Sequence, residues 1–154
     1  MDILPYGRHH IDESDIQAVV DCLRSGYLTQ GPKIAEFEKA IAEYVGASYA
    51  VAVSSGTAAL HLASLVAGAG SNADIITSPI TFVASSNAAF YTGAQPVFSD
   101  VDSNTINLSP EILVKTFQQN PKAKIVIPVH FAGLACDMAA IEEVCAQNSA
   151  VIIE

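Results

Sequence analysis

Ser54, Ser55, Gly56 and Thr57 stand between a β-branched run, "YAVAV" at 49–53, and an almost wholly apolar helix pattern. A turn of this kind collects unpaired backbone N–H groups, hydroxyls and the positive end of a helix dipole at one point. That suits a phosphate, and the glycine would let it approach the backbone closely. The same residues would also serve as nothing more than a helix cap. Neither a Walker A motif nor a dinucleotide glycine fingerprint is present, which argues against ATP and NAD.

Three further turns bear polar or aromatic groups. "SPITFVASSN" follows an apolar run and presents Thr81 and Phe82, the latter either a core residue or a cover for a flat ring. "DVDSNTINLSPE" sets Asp100, Asp102, Asn104 and Glu111 at the oxygen positions of a calcium loop. It lacks the required glycine at Thr105 and the apolar residue at Asn107, so a calcium site is not expected. His130, in "PVHFAG", has no acid–base partner evident from spacing, and a structural or ring-packing role is as consistent as catalysis. His9, His10 and His61 read as surface or packing residues. Cys22, Cys136 and Cys145 are odd in number and fit no zinc or redox spacing, so they read as buried thiols.

The elements that would position these turns follow from periodicity. Asp12 can cap a helix carrying Ile16, Val19, Val20 and Leu23, which Gly26 ends. A loop, "GYLTQGP", leads to a second helix with Ile34, Phe37, Ile41, Tyr44 and Val45 on one face. Strand-like runs then occur at 49–53, 74–77, 96–101, 124–129 and 150–153, separated by helical patterns at 56–69, 81–91, 110–119 and 138–147. Ser109-Pro110 and Asp137 supply helix starts for the last two. Apolar strands alternating with helices indicate an α/β fold with a parallel sheet covered on both faces. Ligands of such sheets bind beyond the carboxyl ends of the strands. The organisation reads as a helical segment over 1–46 followed by an α/β unit over 47–154.

The 154 residues carry a formal net charge of −9 and are 51% hydrophobic and 15% charged. The acidic excess argues against nucleic acid or an anionic membrane as partner. No apolar run approaches the roughly 18 residues of a membrane span. The start, "MDILPYGRHHIDE", has no basic-then-apolar signal pattern, so a cytoplasmic location is expected.

Four segments in order, "LRSGYLTQGPKIAEFEKAIAEYVGA", "AVAVSSGTAALHLA", "ITFVASSNAAFYTGAQPVFSDVDSNTINLSPE" and "KIVIPVHFAGLACDMAAIEEV", resemble the DegT/DnrJ/EryC1/StrS family of sugar aminotransferases. The resemblance implies the aspartate-aminotransferase fold (PLP fold type I), here the N-terminal portion of its large domain, and pyridoxal 5'-phosphate as cofactor. It implies that Ser55, Gly56, Thr57 and Ala58 hold the cofactor phosphate, that Phe82 stacks on its ring, and that His130 lies close to it. Tyr6 and the loop Gly26, Tyr27, Leu28 and Thr29 match segments that contact a nucleotide-sugar. The opening resembles more narrowly the pseudaminic-acid branch, which aminates C4 of a UDP-linked 4-keto-6-deoxy-N-acetyl sugar with glutamate as donor. A homodimer is implied as well.

The family's chemistry also needs a carboxylate at the pyridine nitrogen and a Schiff-base lysine. In the family both follow the strand that "VIIE" matches, so neither is expected within these residues, and Lys33, Lys39, Lys115, Lys122 and Lys124 do not match the lysine motif. The chain therefore reads as a truncated portion, inactive by itself and prone to self-association through exposed apolar surface. Two alternatives stand beside this reading: the family's dehydratase branch, with histidine in place of the lysine, and a non-catalytic subunit that binds a phosphorylated ligand or a partner.

Overall fold

Asp12 accepts the N–H groups of Ser14 and Asp15, and the Asp15 carboxylate accepts the N–H of Asp12 in return. This reciprocal cap starts α1 (Glu13–Arg24), in which Ile16, Val19 and Leu23 share an exposed apolar face. Gly31 and Pro32 start α2 (Pro32–Val45), and Gly46 ends it in the left-handed conformation. The computed structural model describes Gly7 and residues 9–154. These fall into two compact units, one ending at Ala52 and one beginning at Val53. Both helices belong to the first.

The second unit holds α3 (Gly56–Val66), β1 (Asp74–Thr77), α4 (Ala84–Thr92), β2 (Pro96–Phe98), α5 (Pro110–Gln119), β3 (Ala123–Ile127), α6 (Met138–Gln147) and β4 (Val151–Ile152). The four strands pair in parallel in the order β2-β1-β3-β4. Alternate residues of each strand point to opposite faces. Ile75, Ile125 and Ile127 pack with Leu60 of α3 and Ala88 and Ala89 of α4. Ile76 and Val126 face the other way, onto Leu113 and Phe117 of α5 and Ile141, Val144 and Cys145 of α6. Two such apolar layers account for strands that are apolar on both faces.

Several expectations are corrected. Residues 49–53 form no strand, and the Ala52 N–H donates to the Glu38 carboxylate at 2.8 Å. The run at 96–101 is a strand only over Pro96–Phe98: the Ser99 N–H makes a last bond to the Thr77 carbonyl, and beyond it the Asp100 carboxylate accepts the Val101 N–H and Val101 bridges Leu108 antiparallel. The helix expected from 81 starts at Ala84, after a turn in which the Ser78 hydroxyl accepts the Ile80 N–H. Cys136 and Cys145 are buried as expected, whereas Cys22 is only partly so. Burial pushes the Cys145 thiol up to about 11. Among the described residues, no helix is long and apolar enough to cross a membrane.

Candidate active site at the carboxyl edge of the sheet

The chain passes from β1 outward to β2, then returns across β1 to β3. The sheet therefore changes direction between β1 and β3, and the crevice beyond their carboxyl ends is where such folds bind ligands. Thr77 and Ile127 are the last residues of these two strands. The buried Thr77 hydroxyl donates to the Ile127 carbonyl at 2.9 Å and ties the crevice together.

Helices α3 and α4 both begin toward this edge. α4 starts just past the end of β1, and Gly70, four residues beyond α3, lies against the Thr92 carbonyl that closes α4. α3 and α4 thus end together, and their N-termini both lie toward the carboxyl edge. At the start of α3 the Ser55 hydroxyl accepts the Ala58 N–H at 3.2 Å, and the Ser55 carbonyl accepts from Ala59. Among the described residues the N–H groups of Gly56 and Thr57 meet no acceptor. A methyl group built on Gly56 would meet nothing within 4 Å, so the space over this backbone is open. Residues 53–60 carry no charged side chain to offset the helix dipole there.

Phe82 is 76% exposed, which removes it from the core of this unit and leaves an aromatic face in the turn after β1. In the same turn, the Thr81 and Ser85 hydroxyls are hydrogen-bonded at 2.8 Å.

His130 follows β3, and both of its ring nitrogens are engaged. Nδ1 accepts the Cys136 N–H at 3.0 Å, and Nε2 lies 3.2 Å from Glu154 Oε1 beyond β4. A neutral ring in this setting carries its proton on Nε2 and donates it to the carboxylate. Burial raises the Cys136 thiol above its usual range, and the Glu154 carboxylate adds to the effect.

Asp102, whose segment gave the calcium-like spacing, spends one carboxylate oxygen on the N–H groups of Asn104 and Thr105 and on the Thr105 hydroxyl. These bonds hold its carboxyl below the ordinary value. Spacing along the sequence had no means of finding two groups at this edge, Glu154 and Asn107. Each side chain reaches partners more than twenty residues away, and only the β3–β4 pairing and the 101–108 bridge bring them in.

In the first unit, Gly26, Tyr27, Leu28 and Thr29 are exposed. The Ser25 hydroxyl accepts the Tyr27 N–H, and a methyl group on Gly31 would come within 2.9 Å of the Tyr27 Cβ. Tyr27 and Leu28 help to line a cleft of about 300 Å³ together with Cys22, Pro32 and Ile34. Tyr6 lies outside the described residues.

A parallel sheet covered by helices on both faces, with an open helix start, an exposed aromatic ring and a doubly hydrogen-bonded histidine at its carboxyl edge, places the chain in the α/β class. Within that class the chain belongs to the DegT/DnrJ/EryC1/StrS aminotransferase family, whose model matches residues 9–154. It is 46% identical over 151 residues to the spore coat polysaccharide biosynthesis protein SpsC of Bacillus subtilis, covering 98% of this chain and 38% of that one. It is 42% identical over 153 residues to a UDP-4-amino-4-deoxy-L-arabinose–oxoglutarate aminotransferase of Shewanella sediminis, covering 99% and 39%. The fold superimposes on Helicobacter pylori PseC, an aminotransferase involved in the biosynthesis of pseudoaminic acid, with a TM-score of 0.85 and 32% identity over 96% of this chain and 40% of that one. The chain thus spans about two fifths of the length of these relatives. Members of the family are pyridoxal-phosphate enzymes, and a PLP form is among the similar solved structures.

Proposed function

We propose that these residues belong to an aminotransferase that moves an amino group from glutamate to C4 of a UDP-linked 4-keto-6-deoxy sugar, in the manner of the pseudaminic-acid branch. The observation that carries this reading is the start of α3. Two backbone N–H groups without acceptors and an open space over Gly56 stand at the same sheet edge as the exposed Phe82 ring. Open N–H donors for an anion beside an aromatic face for a flat ring suit a phosphorylated pyridine.

Ser55, Gly56, Thr57 and Ala58 would hold the phosphate through N–H groups and hydroxyls, fixing the cofactor at one end. Phe82 would cover one face of the ring and exclude water there. His130, with both nitrogens engaged, would offer its ring rather than a free base, and would hold the Glu154 carboxylate at the end of β4. When bound, pyridoxal phosphate supplies the electron sink that makes amino transfer between two carbon frameworks feasible.

Amino transfer also needs a lysine amine and a carboxylate for the pyridine nitrogen. Lys122 and Lys124 stand at the opposite, amino end of β3, and Lys115 is exposed on α5. In this reading both groups come from sequence outside these 154 residues, so residues 1–154 by themselves are inactive. Tyr6 and Gly26–Thr29 would contact the nucleotide-sugar, and the whole enzyme would work as a cytoplasmic homodimer.

The test is to give the full-length protein pyridoxal phosphate, 15N-glutamate and the UDP-linked keto sugar. A 15N-labelled UDP-amino sugar with matching 2-oxoglutarate is expected. Loss of water from the sugar without nitrogen incorporation would replace this reading with the dehydratase one.

A further inference from the structure

His130 is held by a segment remote from it in sequence. Asn107 is buried, and its amide makes three hydrogen bonds to the loop after β3. Its Oδ1 accepts the Phe131 N–H at 2.9 Å, while Nδ2 donates to the carbonyls of Leu134 at 2.9 Å and Ala135 at 3.1 Å. These partners also settle which way the amide faces, since two carbonyls can meet only the NH₂ group. The loop so gripped turns through Ala132 and Gly133, both in the left-handed region at φ of 53° and 84°. An alanine in that region needs support from its surroundings.

Asn107 is itself delivered by a strained turn. Ile106 has φ of 61°, a costly conformation for a β-branched residue, and its N–H donates to the Asp102 carbonyl at 2.8 Å. The Asp102 N–H donates to the Asn107 carbonyl at 2.9 Å, and the Thr105 hydroxyl accepts the Asn107 N–H at 3.3 Å. At the far side of the gripped loop, the Cys136 N–H donates to His130 Nδ1, leaving Nε2 facing Glu154.

We propose that Asn107 is a positioning residue: by gripping residues 131–135 it sets the Cys136 amide against His130 Nδ1, fixes the Nε2–H tautomer, and so aims the His130 proton at Glu154 on the carboxyl edge of the sheet. What this serves rests on the cofactor site proposed above. The arrangement itself does not, and its test reads the imidazole nitrogens rather than turnover. Glu154 acts on the ring from the other nitrogen, so its removal leaves the tautomer in place, whereas removal of Asn107 frees it.

The experiment is two-bond 1H–15N correlation spectroscopy on the full chain labelled with 15N-histidine, at a pH where His130 is neutral. The wild type is expected to show a pyridine-type Nδ1 and a pyrrole-type Nε2. Asn107→Ala and Asn107→Asp should each give a tautomer mixture, with Cys136 amide exchange faster by roughly tenfold or more. Glu154→Gln should keep the wild-type pattern. A protonated Nδ1 in the wild type, an unchanged pattern in a folded Asn107 variant, or a switched tautomer in Glu154→Gln would overturn the proposal. Should both Asn107 variants fail to fold, the coupling across the hydrogen bond between the Cys136 amide nitrogen and His130 Nδ1 decides it in uniformly labelled wild type. Its presence supports the proposal and its absence overturns it.

Discussion

The Thr77 hydroxyl donates to the Ile127 carbonyl, joining the last residues of the two strands between which the sheet changes direction. This bond spans fifty residues of sequence and lies under the crevice where the candidate site is built. Thr77→Val keeps the shape of the side chain and removes the donor. The expected cost is about 1–3 kcal/mol, because a buried acceptor loses its partner. Urea unfolding of the two forms measures it; equal midpoints would mean that water or a neighbouring group replaces the bond.

Phe82 separates cofactor binding from stability. Its exposure means that Phe82→Ala removes little packing, and unfolding should shift by no more than about 0.5 kcal/mol. Stacking on a flat ring contributes about 0.5–1.5 kcal/mol, so pyridoxal-phosphate affinity of the full-length protein should fall roughly two- to tenfold. Equilibrium titration of cofactor absorbance gives the first effect and thermal unfolding the second. Unchanged affinity would place the ring elsewhere.

Thr29 tests the loop proposed to contact the sugar. Thr29→Ala in the full-length enzyme should raise KM for the nucleotide-sugar several-fold, since a lost hydrogen bond contributes about 0.5–1.5 kcal/mol. The cofactor spectrum should not change. A lost spectrum would show that this loop serves the cofactor and not the sugar.

The turn that carries Asn107 should be acid-sensitive. The N–H groups of Thr105 and Asn104 hold the Asp102 carboxyl below its ordinary value of 3.8. A depressed carboxyl contributes stability that is fully present above 3.8 and is lost as pH falls through the lowered folded value. Asp102→Asn should flatten the acid limb of a stability–pH profile below about that value, while leaving its shape near neutrality unchanged. A parallel acid limb in both forms would remove Asp102 as its source.

Much of this fold is legible in the sequence, and the reasons are local. Asp12, Ser109-Pro110 and Asp137 mark helix starts through bonds made within three residues, and α1, α5 and α6 begin where those caps stand. The strands at 74–77 and 123–127 are apolar on both faces, and that pattern has few other homes. The run at 49–53 is also apolar and β-branched in part, yet it forms no strand, because pairing depends on a partner that composition does not name. The site divides in the same way. The helix start at Ser55–Ala58 is written in adjacent residues, and so is the turn bearing Phe82. The His130–Glu154 pair and the Asn107 grip join residues 24 to 28 positions apart, and only the parallel pairing of β3 with β4 and the turn at Ile106 bring them together.

The claim on which the rest depends is that the start of α3 receives the cofactor phosphate. A crystal structure of the full-length protein with pyridoxal phosphate tests it most directly. Phosphate oxygens are expected within hydrogen-bonding distance of the Gly56 and Thr57 amides, with the pyridine ring against Phe82. A phosphate bound elsewhere, with those two amides still facing solvent, would contradict it.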